Sequence, residues 1–452
     1  MIETKTKLQR YGKYVDSGVE WLGEIPKHWK MKKIKFLSDI FNGDSLNELL
    51  KKRYESDDLK DLAYISSKDI NVNNSEIAYE NGLRIPKEDF SLKIAPSNSS
   101  LLCIEGGSAG RKIAFTNQEV CFVNKLACFK IKGNNYSKYL FFSLKGSPFQ
   151  TQFKLSMTGM IGGVSISSIN NFCLPLPPLS EQTKIAQFLD DKTSKIDVAV
   201  TIKEQQINLL KERKQILIHK AVTQGLNPNV TLKDSGVEWI GKIPKHWEVK
   251  RFRYVFNLGK GLTITKENLR DEGVYCVNYG EIHSKFGFEL DTKIHKLKHV
   301  DKEYLESDPR ALIKNGDFVF ADTSEDIEGS GNFTYLKSED EIFAGYHTVV
   351  AKPKFEIVSR FFAYIFESES FRNQIRTKVK GVKVFSITQS LLKQPTVWFP
   401  SKKEQKEIIN YLDSGAKKIE TAINLKLQEI EKLKEYKSSL INSVVTGKVK
   451  VC

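Results

Sequence analysis

Residues 16–29 read DSGVEWLGEIPKHW and residues 234–247 read DSGVEWIGKIPKHW, identical at 12 of 14 positions across an offset of 218. Only Leu22/Ile240 and Glu24/Lys242 differ. A second pair follows, EQTKIAQFLD (181–190) and EQKEIINYLD (404–413), with five of ten residues identical at an offset of 223. A unit written twice carries the same local instructions twice, so the repeat sets the architecture before any single motif does. Between Trp29 and Pro178 lie 148 residues, and between Trp247 and Pro400 lie 152. Each half is therefore an opener, a divergent block and a long segment without proline (179–227 and 401–452).

The proline-free segments carry the clearest periodicity. Ile196, Val200, Lys203, Ile207, Leu210, Lys214, Leu217 and Ala221 recur at alternating spacings of 4 and 3. Ile419, Ile423, Lys426, Ile430, Leu433, Lys437, Leu440 and Val444 repeat the pattern. That is a heptad seam with lysine at the same two positions in each copy. The stripe predicts that the two helices pair with each other, the seam lysines fixing register. Packing of each helix on its own block is the other arrangement it allows.

The blocks read as mixed α/β. Strand-like runs LAYIS (62–66), SLLCI (100–104) and DFVFA (317–321) are bounded by turn residues. One amphipathic helix per block is predicted, at 137–153 and 358–375, with Phe149 aligned to Phe371 and Gln152 to Gln374. LPLPPL (174–179) and QPTVWFP (394–400) lead in extended form into the long helices. The division expected is 1–175, a first recognition block; 176–228, a central helix; 229–398, a second block; and 399–452, a distal helix.

Composition narrows the partner. Lys and Arg outnumber Asp and Glu by 70 to 55, a net charge of +15 that favours a polyanion. Cysteines 103, 121, 128, 173, 276 and 452 have no CxxC spacing, so free thiols in a reducing compartment are expected rather than a metal site. The charged start MIETKTKLQRYGKY has no apolar stretch of a signal peptide, and FFAYIF (361–366) is far too short to span a membrane. A cytoplasmic protein without a membrane segment is expected.

Catalytic patterns are sparse. GGSAGRK (106–112) departs from a phosphate-binding loop at Arg111 and Lys112-Ile113, leaving either a hairpin turn or a basic turn against a nucleic-acid phosphate. The acids of DTSEDIEG (322–329) read as a solvated loop. His28 and His246, inside the openers, suit packing or capping. No catalytic residue, metal or cofactor is expected. The nucleic-acid candidates are Tyr64, Ser66, Ser67 and Lys68 at one strand end and Tyr275, Asn278 and Tyr279 at another, each otherwise an ordinary turn residue. Arg111 and Lys112 join them, as do Lys378, Lys380 and Lys383 on one face of KVKGVKV (378–384), a strand or hairpin, with the uncharged TGMIGGVSI (158–166) at the matching place.

The doubled opener, the handovers LPPLSEQTKIAQFLD and FPSKKEQKEIINYLD, and the two lysine-bearing heptad segments resemble the specificity subunit of type I restriction-modification systems. The resemblance covers nearly the whole chain. It implies two similar target recognition domains related by pseudo-two-fold symmetry, each reading one half of a split double-stranded DNA site. It also implies an antiparallel coiled coil as spacer, docking of two methyltransferase subunits, and restriction subunits in the full complex, with the chemistry in those other chains. A recognition module of a different restriction class and a nuclease are the alternatives.

Overall fold

The computed structural model describes residues 9–89, 91–158, 162–381 and 383–451. The chain divides into two compact units, residues 1–204 with 427–452 and residues 205–426. The cut falls inside both long helices, Leu179–Gln224 and Lys402–Val445. Each unit thus owns the start of one helix and the end of the other.

The seam explains why. In the first unit Lys203 meets Glu429 at 2.5 Å, and Lys437 meets Asp197 at 2.6 Å. In the second, Lys214 meets Glu420 at 2.8 Å, and Leu217 packs on Gly415. In both, rising numbers on one helix face falling numbers on the other, so the segments run antiparallel. Asp197–Lys437 and Glu420–Lys214 are the same pair under the repeat. The seam lysines are register pins: Ile196, Ile207, Ile419, Ile430 and Leu440 are buried around them, and Lys437 is itself buried. Val200, Lys203, Leu210, Lys214, Leu217, Ile423, Lys426 and Leu433 are half-buried. The helices also pack on their own blocks. Ile185, Ala186 and Leu189 enter the first core, and Ile408 and Leu412 the second. Lys138–Asp190 (2.5 Å) and its counterpart Arg360–Asp413 (2.9 Å) add an ion pair between block and helix.

The blocks share one topology. An antiparallel sheet orders Ser38–Asn42, Leu126–Ile131, Ser99–Cys103 and Ile113–Thr116. Its counterpart orders Phe256–Lys260, Thr348–Pro353, Phe318–Ala321 and Phe333–Leu336, and adds Phe288–Leu290 at the edge. A second sheet in each block places Leu62–Ile65 parallel to Val120–Phe122, and Val274–Val277 parallel to Ile342–Ala344.

Each amphipathic helix expected from the sequence is two: Ser137–Lys145 with Ser147–Leu155, and Ser359–Glu367 with Glu369–Arg376. The apolar rhythm runs through both breaks, but Gly146 and Ser368 are extended, at ψ 157° and 143°. Pro148 at the start of the first of these second helices has no N–H for a continuous ladder. The aligned glutamines do the same work. Gln152 donates to the Cys173 carbonyl at 2.9 Å and accepts from its N–H at 2.9 Å. Gln374 does so with Thr396 at 3.1 and 2.8 Å.

The opener now has a physical reason. Asp16 and Asp234 each accept the N–H of the glycine two residues on, at 2.9 and 2.8 Å, in a turn where Gly18 and Gly236 both take φ +72°. The chain returns as a short hairpin and delivers a buried tryptophan. Trp29 donates to Glu181 and Trp247 to Glu404, both at 3.1 Å. His28 and His246 reach the same carboxylates at 2.6 and 2.8 Å. Those glutamates sit in the first turn of each long helix, where negative charge complements the helix dipole. The next residues, Gln182 and Gln405, donate to the Pro177 and Pro400 carbonyls at 2.9 and 2.8 Å. Opener and Glu-Gln pair therefore form one joint, written twice.

Candidate nucleic-acid interface

Three segments converge in each block. The first follows the strand Leu62–Ile65 or Val274–Val277, where a capping box starts a short helix. Ser66 donates to Asp69 through N–H at 2.8 Å and Oγ at 2.6 Å. Asn278 N–H donates to Glu281 at 3.2 Å, and Asn278 is buried. Both side chains are engaged in the backbone turn that follows the strand. Tyr64 is buried and donates to the Asp44 carbonyl at 2.6 Å, and burial pushes its phenol up to about 12. Lys68 is exposed, and Ser67, Tyr275 and Tyr279 are half-buried.

The second segment is a hairpin loop. GGSAGRK turns between Ser99–Cys103 and Ile113–Thr116, with Gly106 at φ +87° and Gly110 at +74°. A Cβ on Gly110 would lie 2.8 Å from the Phe153 ring, so close packing explains this glycine. Arg111 is exposed, whereas Lys112 donates to the Ser67 carbonyl at 2.5 Å and ties the loop to the first segment. In the second block His283 makes that tie, bonding the Thr323 carbonyl and Asn332, each at 2.8 Å. Around DTSEDIEG, Asp326 accepts the Gly329 N–H at 2.6 Å, and no cluster of potential metal ligands occurs among the described residues.

The third segment lies against the hairpin loop. Gly106 N–H reaches Gly162 at 2.9 Å, and Val164 N–H reaches Ile104 at 3.0 Å. Gly159, Met160 and Ile161 of TGMIGGVSI lie outside the described residues. In the second block Phe385–Ser386 pairs with Thr323–Ser324. Of the two forms expected, strand or hairpin, KVKGVKV shows no strand among its described residues. It leaves the helix end at Arg376 as a turn, and a Cβ on Gly381 would lie 2.2 Å from the Val384 carbonyl. Lys378, Lys380 and Lys383 are all exposed, and Lys378 donates to Gln394 at 3.2 Å.

The convergence ties the Arg111–Lys112 loop to Ser67 in one block, and in the other brings Tyr279 through His347 to Asp322, next to the pairing of 323–324 with 385–386. It also recruits residues that carry no motif in the sequence. Tyr279 lies edge-on to Tyr346 and His347, with centroids 5.7 and 5.2 Å away. His347, exposed at φ +53°, pairs with Asp322 at 3.3 Å. Left-handed backbone at a bulky exposed residue is a known mark of functional loops. The signal available was GYHT directly before a buried strand.

Elsewhere, Cys103, Cys121, Cys128, Cys173 and Cys276 are free thiols, and all but Cys173 are buried. Burial pushes Cys121 and Cys128 up to about 12, which makes them poor nucleophiles. Among the described residues, no helix is long and apolar enough to cross a membrane.

Two copies of one domain, each offering a similar scaffold with different exposed side chains and each jointed to a shared helix pair, define a two-domain recognition protein. Residues 26–211 and 244–432 each match the family model of the type I restriction modification DNA specificity domain. The chain belongs to that family: it is a type I restriction-modification specificity subunit with two target recognition domains. It is similar to the type I restriction enzyme MjaVIII specificity subunit of Methanocaldococcus jannaschii, 26% identical, covering 86% of this chain and 84% of that one. It is also similar to the EcoKI specificity subunit of Escherichia coli, 23% identical over 91% and 88%. A solved chain from work on complex assembly and conformational transition of the type I R-M system shares the fold. Its TM-score is 0.68 at 12% identity, covering 94% of this chain and 99% of that one.

Proposed function

We propose that this subunit reads a split site on double-stranded DNA, one half-site per domain, and docks two methyltransferase subunits while doing no chemistry itself. Restriction subunits would join the full complex, in the cytoplasm. The recognition domains are assigned to 1–175 and 229–398, and the spacer helices to 176–228 and 399–452. The observation that carries the reading is the twice-built face: the same three segments converge in both blocks, but the exposed residues differ. One scaffold with two sets of side chains is what reading two different half-sites requires. Incubating the purified chain with a methyl donor and site-bearing DNA should leave adenines unmodified, and adding methyltransferase subunits should restore modification. Transfer by the chain alone would overturn the reading.

The net charge of +15 implies affinity that falls steeply with salt through counterion release. Replacing Lys380 or Lys383 by Ala should reduce the slope of log K against log salt by about one for each DNA phosphate that is no longer neutralised. Filter binding from low to moderate salt measures this, and slopes equal to the parent's would show that the turn does not face the DNA backbone.

The openers support the partner assignment. Trp29 and Trp247 are needed for the joint, but Trp21 and Trp239 are 38% and 41% exposed. An exposed tryptophan at the same place in both copies suits two identical partners, since buried tryptophans commonly anchor interfaces. Replacing either by Ala should weaken binding of a methyltransferase subunit by about tenfold or more. Titration by light scattering or calorimetry should show one weakened site per single variant. Unchanged affinity in the double variant would place docking elsewhere.

A further inference from the structure

The first unit contains a cavity of about 350 Å³ beside the candidate DNA face, with Arg111 on the rim of both. Its walls are the 72–75 loop, the hairpin loop at Gly110–Arg111, the end of helix Ser137–Lys145, and both long helices near 196–200 and 434–441. Four cations line it, Arg111, Lys145, Lys434 and Lys437, against one carboxylate, Asp197. Asp197 is fully engaged, because both its oxygens accept from Lys437, at 2.6 and 2.7 Å. Lys434 turns to Glu431 at 3.2 Å, on the solvent side. Lys145 is half-buried and has a neutral partner, the Ser75 hydroxyl at 2.8 Å. Burial, with Lys437 nearby, holds the Lys145 ammonium down to about 7. Positive charge is concentrated here where water solvates it poorly.

The second unit shows that the fold does not demand this. Its corresponding cavity, about 660 Å³, has four cations and four carboxylates among its lining residues. The residue at the place of Lys145 is Glu367, which binds Arg372 at 2.8 Å. The charge excess therefore belongs to the first copy alone. A Lys-for-Glu difference at the last position of one helix accounts for two of the three charges.

We propose that the first cavity binds a small phosphate-class oxyanion, either inorganic phosphate or the terminal phosphate of a nucleotide, held by Lys145 and Arg111 with Lys437 behind them. The volume lies at the lower end of ligand pockets, which suits a small anion. A recessed ammonium is reached by a diffusible ion more readily than by a stiff duplex, whose phosphates meet exposed cations such as Lys68. Ser75 and Gln150 add neutral polar groups to the wall. An occupant would bridge the hairpin loop to the helix pair and stabilise the unit.

Thermal unfolding of the full chain tests this in chloride, in inorganic phosphate, in ATP without metal and with duplex DNA, all at matched ionic strength. Phosphate or ATP should raise the midpoint by about 3 °C over chloride, the effective one identifying the source. Lys145→Gln should lose the rise and Lys145→Arg should keep most of it. Arg111→Gln, an exposed change that leaves folding intact, should reduce the rise and serves if Lys145→Gln does not fold. No rise with either anion overturns the proposal, and so does an equal rise in Lys145→Gln. A rise seen only with duplex DNA also overturns it, by making the cavity a backbone contact.

Discussion

Phe366→Ala is expected to destabilise the second unit by about 3–5 kcal/mol, the range for emptying a large aromatic from a packed core. Phe366 is fully buried, and its ring lies against Phe371 (4.6 Å), Phe318 (5.0 Å), Phe320 (5.4 Å), Phe252 (5.5 Å) and Phe333 (5.6 Å). Five aromatic rings lie within 5.6 Å of it, so the hole cannot close without moving several rigid rings. The counterpart in the first unit is Leu144, also fully buried. Leu144→Ala should cost about 2–5 kcal/mol, since the smaller side chain leaves a smaller hole. Ile294, 71% exposed, should tolerate Ala within about 0.5 kcal/mol. Urea unfolding followed by circular dichroism gives the three values. A loss below about 1 kcal/mol for Phe366→Ala would mean that the aromatic cluster is not the core of this unit.

The helix that carries Phe366 shows how far the sequence could be read. Its apolar rhythm marked a helix, and the match of Gln152 to Gln374 located the equivalent turn. The break at Ser368 was hidden, because a serine between two good helical stretches gives no local stop signal; its copy has Gly146 and Pro148, which do. The repeat, the long helices and the strands were legible because each rests on periodic burial that recurs along the chain. The candidate face was legible only in part. Tyr64 sits at a strand end where polar groups often face a ligand, yet packing turns its ring inward, and no local pattern reports that. The capping boxes at Ser66–Asp69 and Asn278–Glu281 had a visible spacing and could have assigned those side chains correctly. Tyr346 and His347 join Tyr279 only through the parallel pairing of Val274–Val277 with Ile342–Ala344, a contact across nearly 70 residues.

Adding seven residues to each long helix, after Ile207 in the first and after Lys426 in the second, should widen the unread gap in the DNA site. Lys203 faces Glu429 and Lys214 faces Glu420, so Ile207 and Lys426 lie level on the antiparallel pair. Insertions at level positions leave every seam contact on either side in register, and a whole heptad keeps the apolar stripe on one face. The stretch of helix between the two recognition domains grows by about 10 Å at 1.5 Å per residue. At 3.4 Å of rise per base pair this corresponds to up to about three pairs. Rotation limits the gain. Seven residues turn a straight helix only about 20° from its starting face, whereas three base pairs at about 10 per turn rotate the second half-site by roughly 100°. The domains must tilt to follow, so a gain of one or two pairs is also consistent with a strut. Both half-sites should keep their own bases, because neither recognition block is altered. Two inserted residues at the same points make the control: at 3.6 residues per turn they rotate the seam by about 200°, to the opposite face, and modification should fall sharply instead of moving to a longer site. Methylome sequencing of cells carrying each variant with its partner subunits reads the gap directly. Retained modification at an unchanged gap would show that the helix pair joins the domains without measuring the distance between them.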